Sequence, residues 1–390
     1  MDLTLPAAQP LTSRGDELLH ATRALVEHVV LPGVAEWDRE DALPDAVFDR
    51  IVELGIPGAL VPPEHGGRGL RVAELAPVWR ALSQGWISLT GAVNPTGLAT
   101  TLLVRHGTEA QRRRWLPPFA SGRALAAFSI TEPQAGSDLK RLETSARARD
   151  GGGLVLDGRK RWVAGGLSAD VIFMLVGVEG ADRPSCVILP ADGRDSAAWR
   201  LGELDKIGYR GVESATYTFD GHEAPGAEVL GGADGLGAGA RQMLDALDVG
   251  RVNVACRGLG IIDRALVCAV RESAGRRIGD GVLGDHTHAQ VRVGEMRARQ
   301  IAVEAAVARA AAAVDAGAAD AGDLATAAKI VASDTAVWAV DRAARLAASR
   351  SYVADAELAR LRRDAPQTQI GEGANDALLM ALGRGAIGAA

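Results

Sequence analysis

The chain has little cysteine and few aromatic residues. Three cysteines stand among its 390 residues, and Phe, Trp and Tyr together make up 4% of the composition. Cys186, Cys256 and Cys268 lack Cys-x-x-Cys spacing, which argues against both a disulfide framework and a structural zinc site. We therefore expect a protein suited to a reducing cytoplasm.

Positive charge is not in excess either. The formal net charge is -6, so the composition does not favour nucleic acid or an anionic membrane as a partner. The basic run at residues 112–114 is typical of a solvated helix face. His286 and His288 lie two residues apart without a third nearby ligand, so no metal site is predicted. The remaining expectation is a small-molecule ligand.

The sequence shows no signal for secretion or membrane insertion. Residues 1–19 lack the basic start and the apolar stretch of a secretory signal. No segment is evident that approaches the roughly 20 apolar residues needed to span a bilayer. The pattern therefore predicts a soluble protein.

The chain does contain two changes of hydrophobic pattern. Its length exceeds what one hydrophobic core usually organises, so two or three domains are expected. Apolar residues recur at helical spacing in 1–123, which predicts an N-terminal α-helical domain. Short apolar runs between Gly, Asp and Pro predict a middle β domain over 124–226. The helical period returns in 227–390 and predicts a C-terminal helical bundle.

Residues 128–138, FSITEPQAGSD, form the most informative segment. It resembles the flavin-contacting signature of the acyl-CoA dehydrogenase superfamily. The chemistry suits that role, because Thr131 offers a short hydroxyl to the edge of a flavin ring and Pro133 stiffens the turn. The resemblance implies FAD as the cofactor, bound by Ile130, Thr131 and Ser137. It also implies that Ser137 contacts an acyl thioester.

Other segments resemble the same family across essentially the whole chain. They are VPPEHGGRGL, HGTEAQRRRWLPPFASGRALAAF and KRWVAGGLSAD. The last is similar to a family segment whose Trp packs on the flavin, so the resemblance places Trp162 against the flavin. Where that family segment has a threonine, this chain has Ala164. On its own, Trp162 would be interpreted as an ordinary sheet aromatic. The resemblance implies a mainly α fold with a central β-barrel-like domain and a C-terminal four-helix bundle.

A candidate base lies near the C-terminus. Removing hydrogens from the α and β carbons of an acyl thioester needs a carboxylate for the proton and an electron-accepting ring for the hydride. The sequence Arg-Asp-Ala at 363–365, followed by IGEGA at 370–374, resembles the family segment that carries the base. The resemblance makes Glu372 the base and places Gly373 at the substrate. Without it, Glu372 would be interpreted as a carboxylate in the first turn of a helix.

Asp248 and Arg251 belong to the helix that lines the acyl and pantetheine tunnel in the family. The resemblance makes both substrate-binding residues, whereas an ordinary helix ion pair is the alternative. Some relatives carry the base one residue before that arginine. This chain has Gly250 there, so the alternative base is missing.

The chain departs from the family where the adenosine diphosphate part of FAD is held. The family's RxxFG segment corresponds to residues 275–279, with Gly275 and Ile278 at the Arg and Phe positions. The QxxGGxGY segment corresponds to RLAASRSY at 345–352, where Ala348 replaces a glycine. Arg276 or Arg345 could substitute as phosphate partners, since a guanidinium can clamp phosphate oxygens. Ala374 and Ala164 also replace family threonines.

Three interpretations compete. The first is a dehydrogenase acting on acyl-CoA or an acyl carrier protein, passing electrons to an electron-transfer flavoprotein as a homodimer or homotetramer. A second is FAD-independent proton chemistry, such as isomerisation, dehydration or cyclisation, using Glu372. The third is a non-catalytic partner subunit, which retention of Glu372 argues against. Because the altered segments meet the neighbouring subunit's FAD in relatives, the first also allows a heteromer with a homologue. The first is preferred, and the acyl group stays open.

Overall fold

The fold is helical at both ends and has a sheet between them, as the sequence predicted. The computed structural model describes residues 12–388. The described helices are α1 (Ser13–Leu25), α2 (Leu31–Glu40), α3 (Asp45–Glu53), α4 (Val72–Gly85), α5 (Ile87–His106), α6 (Glu109–Ala120), α7 (Gly239–Gly275), α8 (Thr287–Ala316), α9 (Ala321–Ala347), α10 (Glu357–Ile370) and α11 (Asn375–Gly388).

The strands are β1 (Ala126–Ser129), β2 (Ser145–Ala148), β3 (Leu154–Ala164), β4 (Val171–Val178), β5 (Ser185–Pro190), β6 (Trp199–Glu203), β7 (Ser214–Ala224), β8 (Glu228–Val229), β9 (Arg277–Ile278) and β10 (Gly281–Val282). Eight of them form one sheet in the order β6-β7-β3-β2-β4-β5-β8, with β1 paired to β4. β4 reads VIFMLVGV and is almost wholly buried, as expected of a strand covered on both faces.

The register of β1 determines where residues 128–138, called the flavin-like motif below, lie in the fold. β1 runs parallel to β4, with Ala126 opposite Val171 and Ser129 opposite Met174. The chain leaves the sheet after Ser129, so Ile130 and Thr131 lie just beyond the strand end. Pleating and pairing therefore bring a contiguous motif beside β3, which carries Trp162.

Small side chains bring the C-terminal helices together. On α9 the buried alanines at 325, 328, 332, 336, 339 and 343 recur every three or four residues and form one face. This face packs into the helical core that also includes α4 and α7. A second cluster joins α5 and α6 to the sheet through Leu102, Phe119 and Phe173. The helices and the sheet therefore share buried contacts.

Helix α5 corrects one sequence expectation. It is 20 residues long and apolar enough to cross a membrane by length and composition, which the sequence analysis overlooked. In its most apolar window, 83% of the residues are buried inside the structure. Burial against α7 and the sheet explains its composition, because a core helix needs apolar residues on every side.

Candidate active site

Glu372 lies in the short turn between α10 and α11. Its φ is 55°, in the left-handed region that residues other than glycine seldom adopt. Next to it, Gly373 has φ 103°, and a Cβ there would lie 3.1 Å from Leu378 Cδ2. The turn therefore requires glycine beside the candidate base. Strained backbone of this kind occurs most often at functional sites.

The Glu372 carboxylate is held from the N-terminal half of the chain. Asn94 on α5 donates from Nδ2 to Glu372 Oε1 over 2.8 Å. The Asn94 side chain is buried, and a hydrogen bond to a carboxylate is stronger than one between neutral groups. This contact fixes the direction in which the half-buried carboxylate points.

Gly250 lies directly against the same carboxylate. A Cβ at that position would lie 3.1 Å from Glu372 Cδ and 3.2 Å from Leu98 Cδ2. The position of Glu372 and the position from which some relatives supply the base therefore meet at one point in the structure. Only Glu372 supplies a carboxylate there.

An apolar cavity adjoins Asn94. It is about 10 Å³ in volume, enough for about one water. Its lining consists of Ile56, Pro57, Leu60, Leu75, Trp79, Val93, Asn94, Gly97 and Val249. Apart from Asn94, the lining side chains are largely apolar.

Asp248 and Arg251 form an ion pair of 2.9 Å along α7. Burial raises the pKa of Asp248, although the nearby Arg251 opposes that effect. Arg251 Nε is buried and has no acceptor among residues 12–388. Both interpretations of the pair are compatible with this geometry, and their substrate-binding role stays a prediction.

The RDA sequence before Glu372 has a structural role. Arg363 forms an ion pair with Asp38 on α2. Asp364 is fully buried and accepts a 2.8 Å hydrogen bond from the Tyr209 amide. Burial raises the pKa of Asp364 to about 6. These contacts anchor α10, which leads into the Glu372 turn.

Behind the flavin-like motif lies a buried ion pair that the sequence analysis missed. Glu132 accepts from Lys160 Nζ on β3 over 2.8 Å, and both side chains are fully buried. Glu132 also accepts from the amides of Glu143 and Thr144. Burial lowers the pKa of Lys160 to about 8, against the opposing effect of Glu132. The letters TEP and KRW contained the signal, because each motif includes one partner.

This ion pair supports the motif residues in front of it. Lys160 Nζ also donates to the Ile130 carbonyl over 3.3 Å. The Arg161 amide donates to the Thr131 carbonyl over 2.9 Å. Trp162 follows with φ 62° and is 53% exposed. The structure therefore brings Ile130, Thr131 and the open Trp162 ring together at one edge of the sheet.

These residues are thus compatible with a site for the ring of a flavin. The exposed Trp162 offers an indole face, with the Arg161 guanidinium 5.7 Å from its ring centroid. Ser137 is exposed on the loop that leaves β1. Two positions offer less, because Ala164 and Ala374 provide no hydroxyl to a ligand.

The proposed phosphate partners are engaged within the chain. Arg276 Nη1 donates to the Leu346 carbonyl at the end of α9 over 3.1 Å. Arg345 pairs with Asp341 over 2.7 Å. Each arginine would have to leave or share its partner to clamp a phosphate. Their cofactor role remains a prediction.

Ala348 is strained where the family has glycine. Its φ is 51° and its ψ is -130°, a combination that a Cβ strongly disfavours. We predict that Ala348→Gly stabilises the protein by about 1 kcal/mol, because positive φ costs glycine little. The midpoint of denaturant unfolding measures this change.

An alanine of ordinary helical conformation provides the control for Ala348→Gly. Ala298 is exposed within α8, and Ala298→Gly should destabilise by about 1 kcal/mol. A loss of stability in both variants would contradict the strain at Ala348.

Trp86 and His106 are both held by structural contacts. Trp86 is fully buried in the helical core. His106 pairs with Asp245 over 2.9 Å, and burial lowers the pKa of the imidazole. The structure also offers no group of three or more His, Cys, Asp or Glu that could hold a metal within residues 12–388.

Three family descriptions match nearly the whole chain. They are the acyl-CoA dehydrogenase N-terminal domain over residues 12–123, the middle domain over 127–222 and the C-terminal domain over 237–387. The chain is similar to the short-chain specific acyl-CoA dehydrogenase of Megasphaera elsdenii, with 29% identity over 385 residues. That alignment covers 96% of this chain and 98% of the relative.

Solved structures agree with these matches. Butyryl-CoA dehydrogenase from Megasphaera elsdenii superposes with a TM-score of 0.91 at 28% identity, covering 97% of this chain and 99% of that one. A chain from a structure of the electron transferring flavoprotein of Acidaminococcus fermentans has a TM-score of 0.89 at 28% identity, covering 99% of both chains.

Proposed function

Because this chain belongs to the acyl-CoA dehydrogenase family and is an oxidoreductase acting on CH-CH bonds, we propose that it desaturates a short acyl-CoA with FAD, using Glu372 as the base. The observation that carries the proposal is the Glu372 carboxylate, held by Asn94 and lying against Gly250. A carboxylate in a fixed position is what removal of an α proton requires.

The Glu372 turn supplies two groups in this proposal. Its carboxylate takes the α proton, in a direction set by Asn94. Its amide has no hydrogen-bond acceptor among residues 12–388, so it can donate to the thioester carbonyl. That bond stabilises the negative charge that develops as the α proton leaves.

Ile130, Thr131, Ser137 and Trp162 are the residues proposed to hold the flavin ring. Members of the family bind FAD, which when bound accepts the hydride from the β carbon. Arg276 and Arg345 remain candidates for its diphosphate. An electron-transfer flavoprotein would be the electron acceptor in this proposal, as suggested by the structural neighbour from such a system.

The proposal extends to the substrate and to the setting of the enzyme. The short-chain relative favours a short acyl group on CoA over a long one, and an acyl carrier protein is the alternative carrier. We place the enzyme in the cytoplasm as a homodimer or homotetramer. A heteromer with a homologous subunit is the alternative, because the altered segments at 275–279 and 345–352 are those that meet a neighbour's FAD in relatives.

The visible absorption spectrum of the purified protein tests the proposal. It should be recorded alone and after addition of FAD, with the oligomer mass measured on the same sample. A flavin band that bleaches on addition of butyryl-CoA is the expected result. A protein that takes up no FAD, alone or co-expressed with a homologous subunit, would contradict the proposal and favour FAD-independent proton chemistry. That alternative rests on Ala164, Ala374 and the engaged arginines.

A further inference from the structure

Lys329 is a buried cation without an assigned role. It lies on α9, its side chain is fully buried, and burial lowers its pKa to about 8, although the nearby Glu372 opposes this. Burying an ammonium group is costly unless its hydrogens find acceptors. The position of those acceptors therefore indicates what the lysine does.

All three acceptors lie in the turn that carries Glu372 or in the helix ends beside it. Lys329 Nζ donates to the Gln369 carbonyl over 3.1 Å, to the Gly373 carbonyl over 2.7 Å and to Asn375 Oδ1 over 2.7 Å. An ammonium group has three hydrogens, so its donor capacity is fully used. One side chain thus ties the end of α10, the turn and the start of α11 to α9.

The next turn of α9 reinforces this attachment. Asn375 Nδ2 donates to Ser333 Oγ over 3.0 Å and to Asp334 Oδ1 over 2.8 Å. Gln369 Nε2 donates to the same Asp334 oxygen over 2.7 Å. Both flanks of Glu372 are therefore bonded to one rigid helix.

We propose that Lys329 is a positioning residue that holds the Glu372 backbone in its left-handed conformation, so that Asn94 can direct the carboxylate toward the substrate. The inference rests on the proposed function for its catalytic consequence. Lys329 makes no hydrogen bond to the carboxylate within residues 12–388, and its three bonds go to groups that flank Glu372, so we assign its effect to the position of the turn. Asn94 acts on the carboxylate itself.

The test is Lys329→Met, which keeps the length of the side chain and removes its donors. We expect kcat with butyryl-CoA to fall about 100-fold while KM changes little, because misplacing a catalytic group by about 1 Å has an effect of that size. Amide hydrogen exchange at residues 371–375 should accelerate about tenfold as the turn opens locally. Flavin absorption should be unchanged.

Two further variants separate positioning from general stability. Val340→Ala removes a buried side chain from α9 away from the turn, and it should lower the unfolding midpoint without changing kcat or exchange at 371–375. Asn375→Ala removes one acceptor of Lys329 and keeps the charge. It should change kcat and amide hydrogen exchange at residues 371–375 in the same direction as Lys329→Met. If Lys329→Met does not fold, Asn375→Ala tests the proposal in its place.

The outcomes are distinct. Accelerated exchange with a lower kcat supports the positioning role. Accelerated exchange with unchanged kcat overturns it, as does a variant that only loses stability as Val340→Ala does. A wild-type protein without turnover on any acyl-CoA would instead contradict the proposed function. In that case the exchange rates would still decide whether Lys329 holds the turn.

Discussion

Replacing Glu372 with Gln should lower acyl-CoA turnover by about 10³-fold, within the range that a general base contributes. The amide side chain keeps the size of the carboxylate and can still meet Asn94 after rotation, so the turn should survive. What is lost is the capacity to accept the α proton. Stopped-flow measurement of flavin bleaching by butyryl-CoA would report this step directly.

The control for Glu372→Gln is a nearby carboxylate outside the site. Asp376 is exposed in the first turn of α11, four residues beyond the candidate base. Asp376→Asn should leave turnover within about twofold, because exposed charges without close partners contribute little. Unchanged turnover in Glu372→Gln would return that residue to the role of a carboxylate preceding a helix.

Breaking the Glu132–Lys160 pair should produce the largest change in stability. We expect Lys160→Met to lower the free energy of unfolding by about 3–5 kcal/mol, because it leaves a buried carboxylate without its cation. It should also weaken FAD binding, since Ile130 loses a hydrogen bond beside the ring site. Urea unfolding and FAD titration measure the two effects.

A double variant and an exposed pair make this test specific. Glu132→Gln combined with Lys160→Met should recover part of the lost stability, because no unpaired charge stays buried. Arg149, directly after β2, and Glu223 on β7 form a pair of the same 2.8 Å length, but the Arg149 side chain is partly exposed and the Glu223 side chain is exposed. Arg149→Met should cost at most about 1 kcal/mol. If Lys160→Met and Arg149→Met lowered the free energy of unfolding equally, burial would not govern the effect.

The flavin-like motif shows which contacts can be predicted from contiguous segments of sequence and which cannot. TEP and KRW were identified as separate contiguous segments, and each predicted contacts to a ligand. The structure adds that Glu132 and Lys160 pair behind them. From the sequence these two residues have no predicted role, because a Glu and a Lys 28 positions apart look like ordinary surface charges.

At the candidate base, too, the residue itself was predicted from the sequence, whereas its partners were found only in the structure. Glu372 was identified from the RDA and IGEGA segments, and its left-handed backbone agrees with the glycines around it. Asn94, however, lies 278 positions away on a helix whose sequence reads as core. Lys329 carried no signal, because a single lysine in an Ala-rich helix is usually exposed.

The sequence by itself determined the order of helices and strands and the family, because periodicity and contiguous motifs are local properties of a chain. It also identified Glu372, Thr131 and Trp162 as candidates for chemistry. Only the tertiary structure decided which groups support them: Asn94 at the carboxylate, Lys329 beneath the turn and Lys160 behind the motif. The physical reason is that hydrogen bonds form by distance in space, and burial turns ordinary polar residues into specific partners.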